Sequence, residues 1–269
     1  MEALRLNDKT AIPILGFGTW HLSYSDCLSA VEIALKAEYR HLDCAPVYQN
    51  QEAVAQAIKK SKIKRKNLFI ASKVWRLYLR KEDLPRALKK TLQELKTDYL
   101  DLYLIHWPNR RIPITETLAA MEKLKKQGLI QAIGVSNFTI SHLKEALKTK
   151  VEITNNQIEC HPSFNQKELK EFCDQNKITL TAYSPLGQGR DIRIPLIRKL
   201  AQKYKKSESQ IILSWLRARK IIAIPRSSSL KHIKDNFQSL KVNLSSQDIK
   251  SINNIDQKQR LLAPFFAEF

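Results

Sequence analysis

Residues 100–107 read Leu-Asp-Leu-Tyr-Leu-Ile-His-Trp, a short apolar run that ends in an imidazole and an indole, with long Lys-rich amphipathic stretches on either side. An apolar run of that length between two helical patterns is a strand buried on both faces, the unit of a parallel sheet. The same unit recurs from one end of the chain to the other. Strands are predicted at 14–18, 41–45, 68–74, 100–105, 132–135, 155–158, 179–183 and 221–224, each followed by a helical pattern. Eight βα units in 269 residues, with no Pro-, Gly- or Ser-rich linker between halves, favour one closed (β/α)8 TIM barrel over two doubly wound lobes. The expectation is therefore an α/β protein with a single domain over 1–269. Residues 4–15 precede the first unit and hold Asn7-Asp8 between apolar positions, which predicts a short N-terminal β-hairpin capping the barrel floor. Ser207 with Gln210 and Ser245 with Asp248 stand at capping-box spacing and mark two late helix starts. The apolar end, Leu-Leu-Ala-Pro-Phe-Phe-Ala-Glu-Phe at 261–269, is too short for a helix and is expected to lie on an apolar surface.

Composition narrows the function. Six glycines and 43% hydrophobic residues exclude collagen-like and disordered chains. Lys and Arg number 46 against 26 Asp and Glu, a net charge of +20, so an anionic partner has to be considered. The densest basic run, Lys59-Lys60-Ser61-Lys62-Ile63-Lys64-Arg65-Lys66, has no interleaved aromatics and sits at a predicted helix end, where cations complement the dipole. The run reads as a solvated surface rather than a nucleic-acid site, and the excess charge either steers an anionic cofactor or substrate toward the barrel or reflects nothing but a Lys-rich composition. Cys27, Cys44, Cys160 and Cys173 form no C-x-x-C pair, which fits reduced thiols in the cytoplasm. Residues 1–10 lack an apolar core, and no run of about 18 apolar residues occurs, so neither a leader nor a membrane span is expected. His21, His41, His106, His142, His161 and His232 show no ligand spacing, and no metal is expected.

In a barrel the active site collects at the C-terminal ends of the strands. There the predicted strands carry Asp43 with Tyr48 just beyond, Lys73, His106-Trp107, Ser136-Asn137, Gln157, Tyr183-Ser184 and Arg226-Ser227. Taken singly, each has an ordinary explanation as a surface phenol, a solvated charge or a core histidine. Taken together, Lys73 paired with Asp43 is expected to stabilise a tyrosinate and lower the Tyr48 phenol below its free pKa of about 10. Tyr48 then serves as a general acid, with His106 giving a second hydrogen bond to the same substrate oxygen. Such a site suits carbonyl reduction.

Eight segments, each at a predicted strand end and in the same order, closely resemble the aldo-keto reductases: Gly16-Phe-Gly-Thr-Trp20, His41-Leu-Asp-Cys-Ala-Pro-Val-Tyr48-Gln-Asn50, Ala71-Ser-Lys73-Val-Trp75, Leu104-Ile-His106-Trp-Pro108, Ile133-Gly-Val-Ser-Asn-Phe138, Asn156-Gln-Ile-Glu-Cys-His-Pro162, Ala182-Tyr-Ser-Pro-Leu-Gly187 and Ile224-Pro-Arg-Ser227. The likeness spans nearly the whole chain and is strongest to the bacterial 2,5-diketo-D-gluconate and methylglyoxal reductase branch. It implies a catalytic tetrad of Asp43, Tyr48, Lys73 and His106, with Tyr48 as proton donor and hydride supplied by NADPH bound without a Rossmann fold. No G-x-G-x-x-G occurs in the chain.

By the family's pattern Tyr183 stacks on the nicotinamide, while Ser136, Asn137 and Gln157 hold its carboxamide. Gly18, Thr19, Trp20 and Asp43 lie beside it. The loop Ser184 to Gly189, with Leu186 and Gly187, follows the pyrophosphate. Arg226, Ser227, Ser228, His232, Asp235 and Asn236 meet the adenosine end. Trp20, Trp75 and Trp107, with Tyr48 and His106, wall the substrate pocket. At the 2′-phosphate the chain departs from the pattern: Arg226 replaces the usual Lys and His232 the usual Arg, and a histidine carries little charge at pH 7. NADPH is expected, with NADH as the alternative. Gln51 stands where an acid is commoner. The implied substrates are small aldehydes, methylglyoxal or keto-sugar acids, and a monomer is expected because no sequence feature demands more. A cofactor-binding redox-sensing module is the second reading.

Overall fold

The computed structural model describes residues 2–7, 10–257 and 260–268. Strands β1 (Ala3–Arg5) and β2 (Ala11–Pro13) pair antiparallel, with Leu4 opposite Ile12. Asn7 fastens this hairpin: its Oδ1 accepts the Thr10 N–H at 2.8 Å and its Nδ2 donates to the Gln131 carbonyl at 3.3 Å. Gln131 lies just before a barrel strand, so the hairpin closes the floor. Asp8 of the predicted turn lies outside the described residues.

Eight parallel strands follow: β3 (Phe17–Gly18), β4 (His41–Asp43), β5 (Phe69–Val74), β6 (Leu102–Ile105), β7 (Ile133–Ser136), β8 (Asn155–Glu159), β9 (Thr179–Tyr183) and β10 (Ile221–Ala223). They pair strictly in chain order. Closure comes from the residues around β3: Leu15 bridges Ala223 in parallel, the Gly16 N–H donates to the Ala223 carbonyl at 2.8 Å, and the Gly18 N–H to the Pro225 carbonyl at 3.1 Å. A Cβ on Gly18 would stand 2.8 Å from the Ile224 carbonyl oxygen, so this seam requires a glycine. The first strand, expected over 14–18, therefore forms a continuous ladder only at 17–18 and serves mainly as the closing seam.

Helices α1 (Tyr24–Lys36), α2 (Gln51–Ser61), α3 (Leu84–Leu95), α4 (Ile114–Lys126), α5 (Ile140–Leu147) and α6 (Lys167–Gln175) each return the chain to the next strand. Two helices, α7 (Pro195–Tyr204) and α8 (Glu208–Ala218), lie between β9 and β10, and α9 (Leu230–Gln238) and α10 (Ser246–Asn253) follow. Ser207 Oγ accepts the Gln210 N–H at 3.1 Å and Ser245 Oγ accepts the Asp248 N–H at 3.2 Å, as their spacing predicts. The reciprocal half of a capping box occurs elsewhere, between Thr139 and His142. Glycine is scarce, and α2, α3 and α7 end instead on lysines in the left-handed region, Lys62, Lys96 and Lys205 (φ 58°, 50° and 52°).

Strands covered on both faces are mainly apolar, as parallel sheets favour, although β8 (Asn-Asn-Gln-Ile-Glu) buries four polar side chains. All residues of β5, β6 and β8 are buried. The polar exceptions in that interior, Asp43, Lys73 and Gln157 among them, mark where chemistry is placed. Among the described residues no helix is long and apolar enough to cross a membrane, and no group of three or more His, Cys, Asp or Glu could hold a metal ion.

Candidate active site

Asp43 ends β4 and Lys73 stands one residue from the end of β5, so neighbouring strands deliver an acid and a base to one height in the barrel. Lys73 Nζ donates to Asp43 Oδ1 at 2.6 Å and to the Cys44 carbonyl at 2.9 Å. From β8, Gln157 Nε2 donates to Asp43 Oδ2 at 2.7 Å. Both carboxylate oxygens are thus satisfied, with the Lys73 and Asp43 side chains 0% and 3% exposed. Burial alone would strip the ammonium of its proton, but Asp43, helped by the Tyr48 phenol, more than offsets it and raises Lys73 above its ordinary value.

Tyr48 closes a 3-10 turn, Pro46–Tyr48, just beyond β4, with Lys73 Nζ 5.0 Å from its ring centre. Here the expectation from sequence is corrected. Burial is the dominant influence and pushes the phenol up to about 12, while the Lys73 cation pulls the other way without reversing it. His106, at the end of β6, packs edge-on against Tyr48 with ring centres 5.8 Å apart. Burial first and the Lys73 charge second drive its pKa well below the usual value, so the imidazole is neutral. Among the described residues its buried Nδ1 has no hydrogen-bond partner. The cluster therefore presents a protonated phenol and a neutral imidazole beside one cancelled ion pair, which is the equipment for donating hydrogen bonds, and one proton, to an oxygen.

Aromatic rings wall the space above. Trp75 lies edge-on to His106 at 5.3 Å, and Phe266 of the C-terminal segment packs edge-on against both Trp75 and Trp107 at 5.5 Å. Trp20 is 39% exposed at the rim. The apolar end thus lies on an apolar surface as expected, and that surface is formed by Trp75 and Trp107 beside His106. Phe265, the neighbour of Phe266, is fully exposed. The segment is held upstream by Glu159 at the end of β8, whose carboxylate accepts the Leu261 and Leu262 N–H groups at 2.7 and 2.9 Å.

On the other side of the mouth Asn137 adopts φ 64° after β7 and donates to the His106 carbonyl at 2.9 Å and to Ser136 Oγ at 3.0 Å. Tyr183 donates its hydroxyl to Asn137 Oδ1 at 2.7 Å. Thr19, just after β3, binds the Asp43 carbonyl through its hydroxyl at 2.9 Å. Beyond β9, Ser184, Gly187, Gln188 and Gly189 are all left-handed, curling the loop that contains Leu186 into a concave run of backbone. Arg226, Ser228 and His232 are exposed around the start of α9, and Ser227 Oγ accepts the Ser229 N–H at 3.0 Å. Asn236 is buried. Asp235 is turned to α8, where it holds the Gln210 side chain at 2.7 Å and Ser207 Oγ.

Several residues support the site without being candidates for it in the sequence. Asn50 donates to the Thr19 and Leu22 carbonyls at 2.9 and 3.1 Å and fixes the loop that carries Trp20. Gln51 ties three elements together, donating to Glu94 of α3 and accepting from Ser72 of β5, both at 2.7 Å. Asp191 accepts from the Ser163 N–H and hydroxyl at 2.8 Å and pairs with His161 Nδ1 at 2.9 Å, while His161 Nε2 lies 3.2 Å from Glu159. This buried row links the left-handed loop to the C-terminal segment. Glu159 and His161 stand within the quoted segment Asn156–Pro162, whereas nothing near Asp191 announces a contact 28 residues away.

Comparison with known proteins agrees with this geometry. The model of the Aldo/keto reductase family matches residues 14–190 and 193–257. Glyoxal reductase of Bacillus subtilis (strain 168) is 37% identical over 262 residues, covering 97% of this chain and 95% of its own length. Methylglyoxal reductase DkgB of Yersinia pestis is 36% identical over 94% of this chain and 97% of its own. Among solved structures, an aldo/keto reductase from Brucella melitensis superposes with a TM-score of 0.91 at 40% identity, covering 95% of this chain and 99% of that one. The chain belongs to the aldo/keto reductase family, the oxidoreductases that act on aldehydes and ketones.

Proposed function

We propose that this protein reduces small aldehydes, methylglyoxal or keto-sugar acids to alcohols with NADPH, and that Tyr48 is the proton donor. The observation that carries the reading is the convergence of Tyr48, Lys73, Asp43 and His106 under a wall of Trp75, Trp107 and Phe266.

The residues suit a dinucleotide. A Cβ on Gly189 would meet nothing within 4 Å, so the left-handed loop is open there, while at Gly187 it packs against Asp191. Arg226 and His232 flank the N-terminus of α9, where backbone N–H groups and the helix dipole favour a phosphate. Tyr183, Ser136, Asn137 and Gln157 line the path between that end and Tyr48, and would hold the nicotinamide and its carboxamide. When bound, the reduced nicotinamide supplies the hydride. Tyr48 gives its proton to the carbonyl oxygen while Lys73 stabilises the phenolate left behind, and neutral His106 holds the same oxygen by a hydrogen bond. Hydride on carbon and proton on oxygen complete the alcohol. The aromatic wall excludes water and strengthens both interactions. The four buried free thiols support a reducing, cytoplasmic setting.

The test is oxidation of NADPH and of NADH at fixed methylglyoxal, run beside Tyr48→Phe. Turnover by the native protein and a loss of at least about 10²-fold in the variant, with cofactor binding retained, is the expected result. Native turnover in the variant would remove Tyr48 as donor. Cofactor binding without turnover of any aldehyde would favour the redox-sensing reading.

A further inference from the structure

Glu268 sits in an unusual place for a carboxylate near a chain end. Its Oε1 accepts the Arg110 backbone N–H at 3.1 Å and lies 3.6 Å from Arg76 Nη2, while its Oε2 lies 3.4 Å from Arg110 Nε and 3.7 Å from His142 Nε2. The three donors come from separate elements: the loop after β5, the loop after β6, and α5. His142 is 8% exposed, and its Nδ1 accepts the Thr139 N–H at 3.3 Å, which leaves the ring proton on Nε2. Among the described residues that Nε2 and Glu268 Oε2 are both buried without a hydrogen bond, 3.7 Å from one another. The ionic contacts are all longer than the 2.7–2.9 Å or so of a charge-assisted bond. Two guanidinium groups, a backbone N–H and a buried imidazole N–H thus converge on a carboxylate that fills their cradle loosely. The cradle adjoins the pocket, because the Arg76 guanidinium lies 4.9 Å from the centre of the Phe266 ring that covers Trp75 and Trp107.

We propose that Arg76, Arg110 and His142 form a carboxylate subsite at the rim of the substrate pocket, occupied by Glu268 in the free protein and taken over by the remote carboxylate of an aldehyde acid. The proposal rests on the reductase reading above. A linear substrate with its carbonyl at Tyr48 and His106 has to pass Trp75 and displace Phe266 to reach the cradle. Its acid group then replaces Glu268 one carboxylate for another, with no net change of charge. Neutral aldehydes of the same length find no such partner and must bind with Glu268 in place.

The experiment compares linear ω-oxo acids of increasing length with their methyl esters, by NADPH oxidation, in the native protein, Glu268→Gln and Arg110→Ala. The acid-over-ester ratio in kcat/KM should peak at one chain length. At that length it should rise roughly threefold to tenfold in Glu268→Gln, where the internal competitor has lost its charge, and fall by a similar factor in Arg110→Ala. The effect should reside in KM rather than kcat. A second readout needs no turnover: adipate should quench the indole fluorescence of Trp75 and Trp107 as the segment lifts, with a midpoint lowered in Glu268→Gln and raised in Arg110→Ala. A ratio equal in all three proteins, or acids and esters weakened alike in Glu268→Gln, overturns the subsite and leaves Glu268 a latch for the chain end. If no aldehyde turns over, the reductase reading fails, while the adipate titration still decides the cradle.

Discussion

Replacing Asp43 by Asn keeps the shape of the side chain and removes one charge from an ion pair that is almost completely buried. Lys73 Nζ is left 2.6 Å from an amide, in a place where its side chain is 0% exposed. Breaking one partner of such a pair costs roughly 3–5 kcal/mol, because the remaining charge stays buried without compensation. At about 2–4 °C per kcal/mol for a chain of this size, the midpoint should fall by roughly 6–20 °C. The variant has one escape, which is to let Lys73 lose its proton, since burial already pulls that way and Asp43 is what opposes it. A lysine neutral in the folded state and charged in the unfolded one makes the unfolded state bind more protons, so the variant should gain stability as pH rises from 7 to 9. Activity should move oppositely. With Lys73 neutral the Tyr48 phenolate loses its cation, turnover should fall by at least about 10²-fold at pH 7, and part of it should return as the medium is made more acidic and Lys73 recharges. Calorimetric melts and NADPH oxidation across that range read both. The double variant Asp43→Leu with Lys73→Met removes both charges together and should recover most of the stability with none of the activity. A midpoint loss of less than about 3 °C in Asp43→Asn, with no new pH dependence, would refute the argument that this pair governs the site.

Three further outcomes follow from other parts of the barrel. A Cβ at Gly134 of β7 would stand 2.5 Å from Leu104 Cδ2 and 2.9 Å from the Asn155 carbonyl, so Gly134→Ala should cost about 1–3 kcal/mol in urea titrations, and an unmoved midpoint would contradict the packing. In the buried row of Glu159, His161 and Asp191, burial opposes every charge, yet the mutual hydrogen bonds raise His161 and lower both acids. Its stabilisation is therefore lost as pH rises through the raised His161 value and as pH falls through the lowered acid values. His161→Gln should differ most from the native protein between those limits, and a urea midpoint difference that ignores pH would count against the row. Replacing His232 by Arg adds a permanent charge beside Arg226 at the start of α9, and should raise the NADPH-over-NADH ratio in kcat/KM roughly tenfold; an unchanged ratio would place the 2′-phosphate elsewhere.

The strand framework and the cluster around Tyr48 are legible in the chain because parallel strands buried on both faces are mainly apolar, so a polar residue at such a strand's end stands out. Asp43, Lys73 and Gln157 were visible for that reason, and the structure joins all three through one carboxylate. Helix ends were less legible because the chain stops them on Lys62, Lys96 and Lys205 in the left-handed region, where glycine would have been the signal. Partners distant in sequence left no trace at all: Asp191 with Ser163, and Glu268 with Arg76 and Arg110, are joined by a fold that local patterns do not encode.

The sign of the Tyr48 shift turns on a competition between two effects that sequence names but cannot weigh. A charge partner was evident in Lys73, but the depth of burial was not, and burial wins. The result suits a proton donor better than the lowered pKa would have. Desolvation keeps the phenol protonated, and the same desolvation, with Lys73 adding to it, keeps His106 neutral, so one physical cause sets both groups in the state that donates. The ion pair between them is held by Asp43 against that same desolvation. Across the neutral range the acid is therefore always loaded, and Lys73, whose charge burial opposes, is the group through which a change at Asp43 would make the chemistry depend on pH.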